Sequence, residues 1–170
     1  LAAASLGSET SGSILSPSSA NSLVGMKPTI GNVSRAGIVP ISSTLDTAGP
    51  MTKFVIDNIL IYNAINDFDP LDDYSVENYD IRIKEVVDNK LEDYTIGYYK
   101  SFYERDSLYK NAIDYLVEEG VELQVIDAPQ IRLEGFSKIL DEDMRYDLRS
   151  YLFFYGSKNL KVEDISSIIK

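Results

Sequence analysis

The chain contains no histidine and no cysteine among its 170 residues. Without imidazole it can hold no Ser-His-Asp triad, no histidine base and no histidine metal ligand. Without a thiol it has no cysteine nucleophile, disulfide, iron–sulfur cluster or thiolate zinc site. A serine or threonine hydroxyl, activated by lysine or by carboxylates, is what remains for nucleophilic hydrolysis. Long hydrophobic runs are also missing, and no stretch is long and apolar enough to span a bilayer. No basic segment leads into an apolar one at the N-terminus, so no signal peptide is visible. The expectations are a cytoplasmic protein with no membrane partner, no metal and no cofactor.

Apolar residues make up 44% of the chain and charged residues 25%, which reads as globular rather than disordered. The net charge of −11 is unevenly placed. Residues 1–53 carry Lys27, Arg35 and Lys53 against Glu9 and Asp46, so the acidic excess lies in residues 54–170. That part would repel a nucleic-acid backbone. It reads as a solvated acidic surface.

Composition changes near residue 50. Residues 1–50 hold eleven serines, six of the ten glycines and four of the six prolines. Apolar pieces interrupt this segment at Leu23-Val24-Gly25-Met26, Ile38-Val39-Pro40-Ile41 and Thr44-Leu45, with Pro17, Pro28, Pro40 and Pro50 as turn punctuation. It reads as buried irregular backbone and short strands around a site. Thr52 is placed to cap a helix running to about Asn66, with Val55, Ile56, Ile59 and Leu60 at helical spacing. Residues 67–79 form an acidic loop whose aspartates lack the spacing and glycine of a calcium loop. A strand over Tyr94–Tyr99, a helix capped by Asp106 or Ser107 and ended by Gly120, and a strand over Val121–Val125 predict a β-α-β unit with parallel strands. A helix is expected from Ile139 to Tyr155, stopped by Gly156, with its aromatic run Tyr151-Leu152-Phe153-Phe154-Tyr155 packed in a core. One more short helix is expected over Val162–Ile169.

The run Gly7-Ser8-Glu9-Thr10-Ser11-Gly12-Ser13-Ile14 is the chain's most informative block. Acyl transfer from an amide needs a nucleophile, a base and donors for a developing oxyanion. A tight Thr-Ser-Gly-Ser turn can aim successive backbone N–H groups at one point, and Gly12 permits the unusual dihedrals this requires. On its own, Ser-Gly-Ser reads as an ordinary turn or capping serine. Two further blocks follow in order, Val24-Gly25-Met26-Lys27-Pro28-Thr29 and Val33-Ser34-Arg35-Ala36-Gly37-Ile38. Together the three resemble the amidase signature family, serine hydrolases that cleave carboxamides.

The resemblance implies that Ser13 is the nucleophile and that the backbone of Thr10, Ser11, Gly12 and Ser13 forms the oxyanion hole. It implies a Ser–cis-Ser–Lys relay whose other two members precede Leu1 in the family, so the chain is expected to be an interior piece. Lys27 belongs to a block that is structural in the family and is not read as the base. The implied fold is an α/β/α sandwich with a mixed, mostly parallel central sheet, only partly represented. Residues 1–170 read as one partial domain, with a catalytic-loop core over 1–50 and helices and a strand–helix–strand segment over 51–170. Ser11, Glu9 and Leu15 depart from the family's usual glycine, aspartate and arginine. Leu45-Asp46-Thr47-Ala48-Gly49-Pro50-Met51 and Asp143-Met144-Arg145-Tyr146-Asp147-Leu148-Arg149-Ser150-Tyr151-Leu152 are similar to the peptide amidase branch, with Asp143 where glutamate is usual. The implied partner is a small-molecule or peptide amide substrate, with the remainder of the same protein or a second copy completing the fold. Three functions stay open: a peptide or aliphatic amidase, the glutaminase component of a tRNA-dependent amidotransferase (its A-type polypeptide), and an inactive scaffold lacking its base.

Overall fold

A computed structural model of the protein describes residues 2–127 and 133–157. The element order is β1 (Ala4–Glu9), α1 (Leu15–Ala20), β2 (Val24–Gly25), β3 (Thr47–Thr52), α2 (Val55–Ile65), α3 (Ile83–Asp88), a 3-10 turn at Leu91–Asp93, β4 (Thr95–Tyr99), α4 (Lys100–Arg105), α5 (Ser107–Glu118), β5 (Glu122–Ile126) and α6 (Phe136–Tyr155). They divide into two compact units, Leu1–Ile81 with Glu134–Lys170, and Arg82–Leu133. The class is α/β. The helix expected over Val162–Ile169 lies outside the described residues.

In the larger unit β3 is the middle strand, with β1 and β2 antiparallel on either side. The β1–β3 register runs from Ala4 opposite Thr52 to Glu9 opposite Thr47. A middle strand is covered on both edges, and β3 is buried at every position but Met51. Gly49 lets the chain after β2 come close: a Cβ there would sit 2.1 Å from the Met26 carbonyl oxygen. Two prolines do not punctuate turns. Pro50 lies inside β3, where its carbonyl accepts from the Met26 N–H at 3.1 Å. Pro17 lies in the first turn of α1, where its fixed φ suits the start of a helix.

Helix α2 starts later than its expected cap. Thr52 ends β3, its hydroxyl donates to the Phe54 carbonyl at 2.8 Å, and Phe54 is the N-cap. The helix is apolar nearly all round, so Leu60 remains half exposed while Asn58, Ile59 and Tyr62 are buried. Asparagines do the joining. Asn58 Nδ2 donates to the carbonyls of Val24 and Pro50, stitching α2 to β2 and β3. Asn63 donates to the Ile81 carbonyl and accepts its N–H. Val33, Ala48 and Tyr62 form a buried cluster, with Met26, Ile38, Ile65 and Ile81 packed against it.

Helix α6 begins at Phe136, three residues before the first periodic apolar position, after Gly135 at φ +84°. Leu148 is buried, with Leu140, Met144, Tyr151 and Leu152 half-buried on the same side. The aromatic run is not core: Phe153 is 81% exposed and Phe154 75% exposed. Five consecutive residues span more than one 3.6-residue turn, so they cannot all face one side.

In the smaller unit β4 and β5 pair in parallel, Thr95 opposite Glu122 through Tyr99 opposite Ile126. Asp106 caps α5 by accepting from the N–H groups of Leu108 and Tyr109, and Gly120 at φ +84° ends the turn after it. Helix α4, between β4 and α5, has no signal in the apolar spacing. Its Phe102 stacks edge-on between Tyr99 and Tyr109.

A buried ion pair joins the larger unit's loops. Arg35 Nη2 and Nε reach the two Asp72 oxygens at 2.8 and 2.9 Å, and the Arg35 N–H donates to the same carboxylate. Burial pushes the Asp72 carboxyl up, but these bonds and the Tyr74 N–H outweigh it and bring its pKa to about 2. A carboxyl depressed on folding stabilises the protein above its unfolded pKa and loses that contribution as pH falls through the folded one. We therefore expect Asp72→Asn to destabilise the protein by about 2 kcal/mol at pH 7, with the gap narrowing between pH 4 and pH 2. Urea unfolding at the two ends of that window measures it.

Candidate active site

The Glu9–Leu15 turn is built around a buried carboxylate. Strand β1 ends at Glu9, which is 3% exposed, and Ile14 five residues on is fully buried. Glu9 Oε2 accepts the N–H groups of Ile14 at 2.7 Å and Leu15 at 2.9 Å, which are among the first amides of α1 and have no helical acceptor. Residues 10–13 must therefore loop out and return within a short span. Gly12 makes the return at φ +96°; a Cβ there would meet nothing within 4 Å, so the demand for glycine is conformational. The Gly12 carbonyl then accepts from Ser16 N–H at 2.8 Å. Burial raises the Glu9 pKa, but the amides of Leu15, Gly12 and Ile14 and the charge of Lys27 bring it below the ordinary value.

The four residues singled out in the sequence occupy this turn. Thr10 and Gly12 are half-buried, and Ser11 and Ser13 are exposed. Among the described residues the Ser13 hydroxyl makes no hydrogen bond, and the N–H groups of Thr10, Ser11 and Ser13 donate to no acceptor. The Gly12 amide is turned in part towards Glu9. Lys27 donates from Nζ to the Leu45 carbonyl at 3.1 Å.

Several acids that hold the surroundings carry no sequence signal beyond their blocks. Asp46 Oδ2 accepts from the N–H groups of Ile41 at 2.7 Å and Ser42 at 2.8 Å, and its Oδ1 accepts from the Thr10 hydroxyl. From α6, Asp143 accepts the hydroxyls of Ser42 at 2.5 Å and Thr44 at 2.6 Å, and Asp147 accepts the Ser43 N–H at 2.6 Å. Asp143 and Asp147 are four residues apart, hence on one helix face, and that spacing is the signal available in the sequence.

A cavity of about 650 Å³ opens beside this network, lined by Ser8, Arg35, Ile38, Asp46, Tyr151 and Phe154 among others. Thr10–Ser13 do not line it. Among the described residues no cluster of three or more acidic side chains could hold a metal ion, and no helix is long and apolar enough to cross a membrane.

A family model described as Amidase matches residues 1–151. The chain is 37% identical over 139 residues to the A-type polypeptide of the glutamyl-tRNA(Gln) amidotransferase from Neisseria gonorrhoeae, a match covering 78% of this chain and 29% of that protein. It is 55% identical over 73 residues to a probable amidase from Arabidopsis thaliana, covering 43% of this chain and 14% of the relative. The crystal structure of native peptide amidase from Stenotrophomonas maltophilia superposes with a TM-score of 0.81 at 26% identity, covering 99% of this chain and 36% of that one. The chain thus spans about a third of the length of these relatives or less.

If Glu9 holds the turn, Glu9→Ala leaves two α1 amides without an acceptor and should cost about 2 kcal/mol. Glu9→Gln keeps an acceptor oxygen and should cost less. Chemical denaturation of both variants, with hydrogen exchange at Ile14 and Leu15, reads the difference.

Proposed function

This chain belongs to the amidase family, and from that premise we propose that it carries the nucleophile and the oxyanion-binding turn of a serine amide hydrolase. The observation that supports this reading most is the state of the turn. Among the described residues it holds an exposed serine at position 13 whose hydroxyl makes no hydrogen bond, and three main-chain N–H groups without acceptors, between two ends fixed by buried or half-buried carboxylate contacts.

In the proposed reaction Ser13 Oγ attacks the carbonyl carbon of a carboxamide and gives up its proton to a base. Negative charge grows on the carbonyl oxygen, and its proposed donors are the amides of Thr10, Ser11 and Ser13, with that of Gly12 shared with Glu9. Donors fixed before the reaction cost no reorganisation when charge develops. The C–N bond breaks, ammonia or an amine takes the proton and leaves, and water then hydrolyses the acyl-Ser13 ester. The base is assigned by family resemblance to a lysine acting through a serine, neither of which is Lys27, whose ammonium is engaged at the Leu45 carbonyl.

The substrate class we favour is a peptide or simple aliphatic amide, in keeping with the likeness to peptide amidase. A second reading has its own support: 37% identity to the amidotransferase polypeptide over 78% of the chain favours glutamine hydrolysis feeding a partner. Turnover of unrelated carboxamides by the protein alone separates the first reading from the second.

In the full-length protein that contains this chain, Ser13→Ala should lower ammonia release from a carboxamide by at least about a thousandfold with the fold intact. Unchanged turnover in Ser13→Ala would remove the proposal.

A further inference from the structure

We propose that Asp46 is a positioning residue for the oxyanion turn, acting through the side-chain hydroxyl of Thr10; this rests on the amide-hydrolase reading above. The sheet register leads to it. Glu9 is the last residue of β1 and lies opposite Thr47, the first of β3, so one step further along both strands brings Thr10 opposite Asp46. There the two side chains bond, hydroxyl to carboxylate. Among the described residues this is the one hydrogen bond made by a side chain of residues 10–13, since the hydroxyls of Ser11 and Ser13 have no partner.

Asp46 is suited to the task because its two oxygens are divided between two jobs. Oδ2 closes the 41–46 loop on itself through the Ile41 and Ser42 N–H groups, while Oδ1 points to the turn. The loop is in turn fixed from three sides. Arg35 Nη1 donates to the Ser43 carbonyl at 2.5 Å, and Lys27 donates to that of Leu45. Asp143 and Asp147 hold the Ser42 and Thr44 hydroxyls and the Ser43 N–H from α6. A loop held this way gives Thr10 a rigid anchor. A hydrogen bond to an ionised acceptor is also stronger than a neutral one. With Glu9 fixing the far end at Ile14 and Leu15, the N–H groups between are held in place before substrate arrives.

The test uses the full-length protein and Thr10→Val, which removes the hydroxyl at nearly constant volume and leaves Asp46 its two loop N–H groups. We expect kcat on a carboxamide to fall ten- to a hundredfold, with KM changed less than about twofold. Inhibition by an aldehyde analogue of the acyl group, which forms a tetrahedral adduct, should weaken in the same proportion as kcat. Thr10→Ser should restore most of kcat, and the melting temperature should change little in either variant. Wild-type kcat in Thr10→Val would overturn the proposal. So would a kcat loss that follows the melting temperature and is not rescued by serine, because that is the mark of a purely structural bond. Ser13→Ala in the same assay separates the failures: if it keeps wild-type turnover, the hydrolase reading falls and this one with it, whereas an inactive Ser13→Ala beside a fully active Thr10→Val sinks the Asp46 role alone.

Discussion

The antiparallel pairing of β1 with β3 sets the geometry of the larger unit. It places Glu9 at the end of a strand, opposite Thr47, so that its carboxylate is carried inside at the point where the chain must turn. Once there, that carboxylate needs donors, and an unpartnered buried charge would be costly. The N–H groups of Ile14 and Leu15, left without helical acceptors at the start of α1, supply them. The residues between are forced into a short outward loop with Gly12 in the left-handed region. Register, buried charge and turn are therefore one arrangement, and Ser13 lies within it, just before the anchored Ile14.

Carboxylates act as structural acceptors throughout this unit. Asp72 clamps Arg35, Asp46 closes its own loop, and Asp143 and Asp147 hold that loop from a helix a hundred residues later in the chain. The net charge of −11 reads in the sequence as a solvated surface, and many of its acids are that. These four, with Glu9, are instead committed to N–H, hydroxyl and guanidinium donors. Charge count alone could not separate the two groups, because the difference lies in which donors the fold brings near.

What was legible follows from how local each signal is. The strand at Thr95–Tyr99, the Asp106 cap, the stop at Gly120 and the parallel return at Glu122–Ile126 are set by neighbours within a few residues, and they stand where the pattern puts them. So does the stop of α6 at Gly156. Thr52 as a helix cap, Pro50 as a turn and Tyr151–Tyr155 as core were each decided by tertiary context: Thr52 and Pro50 were taken by a strand, and the aromatic run was spread round a helix. The Gly7–Ile14 block was visible because its residue types are unusual together. The Thr10–Asp46 bond and the grip of Asp143 on Ser42 span 36 and 101 residues, and nothing local announces either.

Amide hydrolysis by this turn requires that the hydroxyl at position 13 be acylated during turnover. Peptide mapping by mass spectrometry, on full-length protein quenched during turnover of a slowly hydrolysed amide or ester, tests it most directly. The acyl mass is expected on Ser13 within the peptide spanning the Glu9–Leu15 turn, accumulating and then decaying at the rate of product release. Acyl mass on a different residue, or turnover proceeding with Ser13 unmodified throughout, would contradict it.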